Sequence, residues 1–79
     1  MSHTQTVYHV VPNTSGTQWI IIMENSGAFR QEHRTKDRAV EAADELAREQ
    51  EPSRLKVHNS DGDIEYERAY GKPSRGLPR

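Results

Sequence analysis

The sequence predicts a small α+β domain in which one helix packs on one face of an antiparallel sheet, with elements in the order β-β-β-α-β-β. Three observations lead there. Two stretches with hairpin chemistry flank a single alanine-rich, amphipathic stretch. Every other apolar run is short and β-branched or aromatic, which favours strands over helices. And 79 residues, 32% of them apolar, suffice for one modest core.

The first strand is Val7-Tyr8-His9-Val10-Val11, ended by the turn-rich run Pro12-Asn13-Thr14-Ser15-Gly16. Trp19-Ile20-Ile21-Ile22-Met23-Glu24 follows, then Asn25-Ser26-Gly27 and the returning strand Ala28-Phe29-Arg30-Gln31-Glu32-His33. A three-residue loop closing on Gly27 in the left-handed conformation pairs Met23 with Phe29, Ile21 with Gln31 and Trp19 with His33 on one face. Ile22 then meets Arg30, and Ile20 meets Glu32, on the other. The first set holds the larger apolar groups and is expected to face the core.

Thr35 is the expected N-cap, its hydroxyl placed to accept an orphan backbone N–H. From Lys36 to about Gln50 the period is helical, with Ala39, Val40, Ala43, Leu46 and Ala47 in one narrow stripe and Pro52 as the stop. Alanines in the stripe let a helix lie close to the sheet beneath it. The last two strands, Arg54–Asn59 and Ile64–Arg68, flank Ser60-Asp61-Gly62-Asp63. With Asp61-Gly62 central in a type I′ turn, Lys56 falls opposite Glu67 and His58 opposite Glu65, while Val57 meets Tyr66 and Asn59 meets Ile64. Opposite charges pair on one face and apolar groups on the other. Residues 1–70 are thus expected to form the domain and 71–79 a mobile basic tail.

Charge and composition exclude several classes. Residues 1–70 carry eight Lys/Arg against twelve Asp/Glu, a net of −4, and the remainder adds Lys72, Arg75 and Arg79. An acidic folded part counts against nucleic-acid binding. No apolar run approaches the length that spans a bilayer, and the first ten residues lack a signal-peptide pattern, so a cytoplasmic location is expected. The absence of cysteine removes any disulfide framework. The four histidines, His3, His9, His33 and His58, show no metal-ligand spacing, and no cofactor is expected.

Tyr8-His9-Val10-Val11-Pro12, Trp19 with Ile21, and Gly27 form a first set of motifs, followed by Thr35-Lys36 leading into Ala39, Ala42, Ala43, Leu46 and Ala47. Val57-His58, Asp61-Gly62 with Ile64, and Tyr70-Gly71 complete the set. In these motifs the chain resembles a family of short prokaryotic proteins catalogued as domain of unknown function 2188. The likeness covers roughly residues 7 to 71 and implies a single domain; it brings no activity and no catalytic residue. After Tyr70-Gly71 that family tends to continue with an Asn-Asp-Pro-like segment, where this chain has Lys72-Pro73-Ser74.

Candidate sites are few. Asn59, Asp61 and Asp63 alternate as at the start of an EF-hand loop, but the sixth and twelfth positions are Ile64 and Tyr70 instead of Gly and Glu. A hairpin turn accounts for all of them. His58 is the candidate general base, yet its ladder position opposite Glu65 makes it a solvent-face residue. No nucleophile elbow, phosphate loop or metal triad occurs, so no enzyme is expected. Arg30, Arg34, Lys36 and Arg38 gather before and within the first helical turn, where they could hold an anion or a nucleic-acid phosphate. Ile20 and Ile22, on the face away from the helix and rimmed by Arg30 and Glu32, are expected to form an interface. The expected function is a non-enzymatic interaction module forming a homodimer through that face, with weak nucleic-acid binding through residues 30–38 and the tail as the alternative.

Overall fold

The expected succession of elements is present in a computed structural model that describes residues 6–24 and 26–71. The elements are β1 (Thr6–Pro12), β2 (Trp19–Met23), β3 (Ser26–His33), α1 (Lys36–Glu49), β4 (Ser53–His58) and β5 (Ile64–Tyr70). The expected basic tail lies, beyond Gly71, outside the described residues.

Across the sheet the order is β3-β2-β1-β4-β5. This corrects the wholly antiparallel expectation: β1 and β4 are parallel, with Tyr8 beside Leu55 and Val10 beside Val57. Parallel neighbours need a crossover. Here α1 supplies it, carrying the chain from the β3 edge over β2 and β1 to the far side of β1. Each hairpin announces itself through its turn, but the β1–β4 pairing joins residues far apart in the chain and leaves no local signal.

The helix begins where its cap predicts. Thr35 is extended (φ −130°, ψ 157°) and its Oγ1 accepts a hydrogen bond from the Arg38 N–H at 3.1 Å. Ala39, Ala43 and Ala47 are fully buried against Tyr8, Val10, Ile21, Leu55 and Val57. The centre of the core therefore lies on β1 and β4, with Ile21 the one contribution from β2. Trp19, Met23, Phe29 and Leu46, all expected in the core, are half-buried at its margin, because the helix sits over the middle strands. Phe29 meets the Tyr8 ring edge-on at 5.8 Å. At the helix end the buried Ser53 hydroxyl donates to the Ala47 carbonyl at 2.6 Å, a second bond to an oxygen that also accepts from the Gln50 N–H at 3.1 Å.

Both hairpins keep their expected register over most of their length and depart from it near the turn. In the first, Trp19–His33, Ile20–Glu32, Ile21–Gln31 and Ile22–Arg30 pair as expected. Met23 pairs with Ser26 instead of Phe29, and Gly27 is not left-handed. In the second, Lys56–Glu67 and Val57–Tyr66 pair as expected, but His58 meets Ile64. The Asn59 N–H bonds to the Asp63 carbonyl at 2.8 Å and the Gly62 N–H to the Asn59 carbonyl at 2.9 Å. The loop is thus three residues, Ser60-Asp61-Gly62, with Gly62 at φ +91°. That shifts the ladder by one, and a bulge at Glu65 shifts it back. Asn59 Oδ1 accepts from the Asp61 and Asp63 N–H groups, which explains the alternating polar residues as turn chemistry.

Two tyrosines give the fold an alkaline limit. Burial raises the Tyr8 phenol above its ordinary value, with Glu49 adding to the effect; burial and then the 2.7 Å hydrogen bond to Asp44 raise that of Tyr70. The folded state thus favours the neutral phenols. Their contribution is complete below the ordinary value of 10.0 and is lost as pH rises through the raised folded values. Thermal unfolding followed above pH 10.0 should show a steeper fall of Tm in wild type than in Tyr8→Phe/Tyr70→Phe.

Candidate functional site

Helix α1 covers one face of the sheet, and alternation assigns the remaining side chains to the other. Tyr8 and Val10 are buried beneath α1, so Val7, His9 and Val11 point away from it, each half-buried. On β2 the same parity places Ile20 and Ile22 on this far face, next to Val11 and His9 respectively. Arg54, Lys56 and His58 of β4 and Glu67 of β5 extend the surface to one side, Arg30 and Glu32 of β3 to the other. The far face is therefore an apolar strip of valines and isoleucines, crossed by histidines and rimmed by charges of both signs.

The burial of the two isoleucines differs from expectation. Ile20 is 6% exposed within the single chain and Ile22 is half-buried. The ladder neighbours of Ile20 are Val11 on β1 and Glu32 on β3. Arg30 bonds to Glu32 on its own strand at 3.0 Å, and Arg54 bonds to Glu67 at 3.1 Å. Among the described residues the large apolar groups with most exposure are Ile64 (49%) and Tyr66 (36%), both on the edge strand β5.

Across this face runs a line of hydrogen bonds unforeseen from the sequence. Glu24 Oε2 lies 2.8 Å from His9 Nε2; His9 Nδ1 lies 3.0 Å from His58 Nε2; His58 Nδ1 lies 3.0 Å from the Gly62 carbonyl. The hydrogen bond from His9 holds the Glu24 carboxyl below its usual range, with weaker help from the His9 and Lys56 charges. His58, expected opposite Glu65 in solvent, is instead half-buried against His9. The two histidines meet because β1 and β4 are parallel neighbours. Only that pairing would have disclosed them, although both belong to the stretches that carry the family resemblance.

The basic cluster does not form one surface. Arg30 lies on the far face with Glu32, while Lys36 turns to the helix side, pairs with Glu65 and sits 5.5 Å from the centre of the Trp19 ring. The β5 bulge explains the Lys36 contact, since it lets Glu65 and Tyr66 both lean towards the helix. Arg34 and Arg38 are exposed. Between α1 and β5 lies an open groove of about 600 Å³, lined by Lys36, Val40, Glu41, Asp44, Tyr66 and Arg68 among others. Its polar groups are largely engaged: Tyr70 donates to Asp44, Arg48 pairs with Asp44 at 3.0 Å, and Arg68 stacks 5.3 Å from the Tyr66 ring centre.

A family model described as an uncharacterised protein conserved in bacteria, domain of unknown function 2188, matches residues 8–70. No curated protein and no solved structure matches the chain. No helix among the described residues is long and apolar enough to cross a membrane.

Proposed function

The chain belongs to this bacterial family, domain of unknown function 2188, and on that footing we propose that it is a non-enzymatic interaction module that self-associates as a homodimer through the sheet face opposite α1. The observation that carries the reading is the strip formed by Val7, Val11, Ile20 and Ile22 on the one face that α1 leaves uncovered. Its rim suits a two-fold contact, in which a patch meets its own copy. The Arg30–Glu32 pair borders one side and Arg54–Glu67 the other, so each edge offers both signs. Because Ile20 is already buried, association draws on Ile22, Val7 and Val11, each gaining less than the roughly 1.5–3 kcal/mol of a full transfer from water.

The burial of Ile20 also chooses the test. A charge at Ile20 would disturb the fold itself, whereas Ile22→Glu alters the half-buried centre of the strip. Sedimentation of wild type should show a dimer at micromolar concentration, and Ile22→Glu should be monomeric with an unchanged Tm when both are compared as monomers at high dilution. A wild-type mass of 9.0 kDa throughout the micromolar range overturns the reading. Repeating the run with an oligonucleotide at low salt tests the alternative, nucleic-acid contact through Arg34 and Arg38.

A further inference from the structure

We infer that His9 and His58 form a proton-bridged pair, an imidazolium sharing one proton with a neutral imidazole, and that this pair makes the open sheet face responsive to pH; the second half rests on the reading of that face as an association surface. The inference comes from counting protons. Glu24 and the Gly62 carbonyl are both acceptors, so His9 Nε2 and His58 Nδ1 must each donate. Two neutral rings would have no proton left. His9 Nδ1 and His58 Nε2 would then face each other as bare lone pairs at 3.0 Å. One further proton turns that clash into an N–H···N hydrogen bond and completes the line from Glu24 to Gly62.

The bridging cation is a proton. The ring centroids are 5.2 Å apart with the two nitrogens at 3.0 Å, so the rings address each other nearly end-on. A shared metal ion would need both nitrogens to converge on a third point. Among the described residues no group of three His, Asp or Glu side chains is placed to hold a metal.

Such a pair loses its protons in two steps that belong to both rings. The bridge exists between those steps. Above them the lone pairs confront each other, and below them two cations do. Glu24, beyond β2, accepts from His9. Lys56 lies beside His9 in the parallel register. The other charged groups of this face are Arg30 and Glu32 on β3, Arg54 on β4 and Glu67 on β5, with Asp61 and Asp63 in the turn beyond His58. A second proton would place two cations per protomer beside Ile22 and Val11, four across a two-fold contact. Glu24 is the one carboxylate bonded to the two rings, so burying both cations leaves an excess of positive charge that opposes association.

The test uses long-range proton–nitrogen correlation of the imidazole rings in the 15N-labelled full chain. Expected is a pH interval in which His9 is protonated at both nitrogens and His58 only at Nδ1, with the His9 profile altered in His58→Gln. Independent titration of the two rings, with His9 unmoved by His58→Gln, overturns the bridge. So does stoichiometric zinc displacing the pair's signals, which would identify the cation as a metal. If the variant fails to fold, the wild-type nitrogen signals still decide. Dimer dissociation is measured alongside: Kd should rise at least about tenfold on acidification through the second step, and that change should vanish in His9→Gln/His58→Gln. A pH-independent dimer overturns the gating. A monomer at every pH with the bridge intact overturns the association reading and the gating with it, and leaves the pair standing.

Discussion

Leu55→Ala should lower the unfolding free energy by about 2–5 kcal/mol, whereas Leu46→Ala should cost about 1 kcal/mol or less. Both leucines look equally apolar in the sequence. Leu55 stands on β4 next to Tyr8 across the parallel ladder and is fully buried; Leu46 lies on the flank of α1 and keeps part of its surface in water. Truncating Leu55 removes transfer free energy and leaves a cavity between the central strands and the helix, and a tightly packed core closes it only in part. Chemical denaturation of the two variants beside wild type checks the difference. Equal losses would show that Leu46 is as deeply buried as Leu55.

Ala43→Leu should destabilise by about 1–3 kcal/mol although it adds apolar surface at a position of high helix propensity. Ala43 is the middle of three fully buried alanines, and the stripe they form is what brings α1 down onto Val10, Ile21, Leu55 and Val57. Three additional carbons there must either displace those side chains from their rotamers or lift the helix, which would also pull Ala47 from Ser53. For a chain of 79 residues such a loss is a large share of total stability. Thermal unfolding with hydrogen exchange of the α1 amides distinguishes the outcomes, and a gain in Tm would mean that the helix has room beneath it.

The candidate site was legible in fragments. Ile20, Ile22, Arg30 and Glu32 could be assigned to one face from the hairpin register alone, because side chains alternate and each turn sets its ladder. How much water each retains could not be read so: Ile20 is buried while Ile22, on the same face, keeps part of its surface. The 30–38 basic cluster is contiguous in the chain, yet its members divide between the two faces, because β3 ends and α1 begins within it. Lys36 found Glu65 through a bulge that the turn residues did not announce.

By itself the sequence determined the six elements, the Thr35 cap, the inner register of both hairpins and the alanine stripe that sets the helix close to its sheet. These depend on residues within one turn or one hairpin of each other, where backbone sterics and side-chain alternation act locally. Only the tertiary structure decided that β1 and β4 run side by side in parallel, that the core therefore centres on Tyr8, Val10, Leu55 and Val57, and that His9 meets His58. The β1–β4 pairing spans β2, β3 and α1, and its advantage comes from joint burial under the helix rather than from any turn. Chemistry that arises where distant strands become neighbours, as the histidine pair does, is written in the sequence but not at any one place along it.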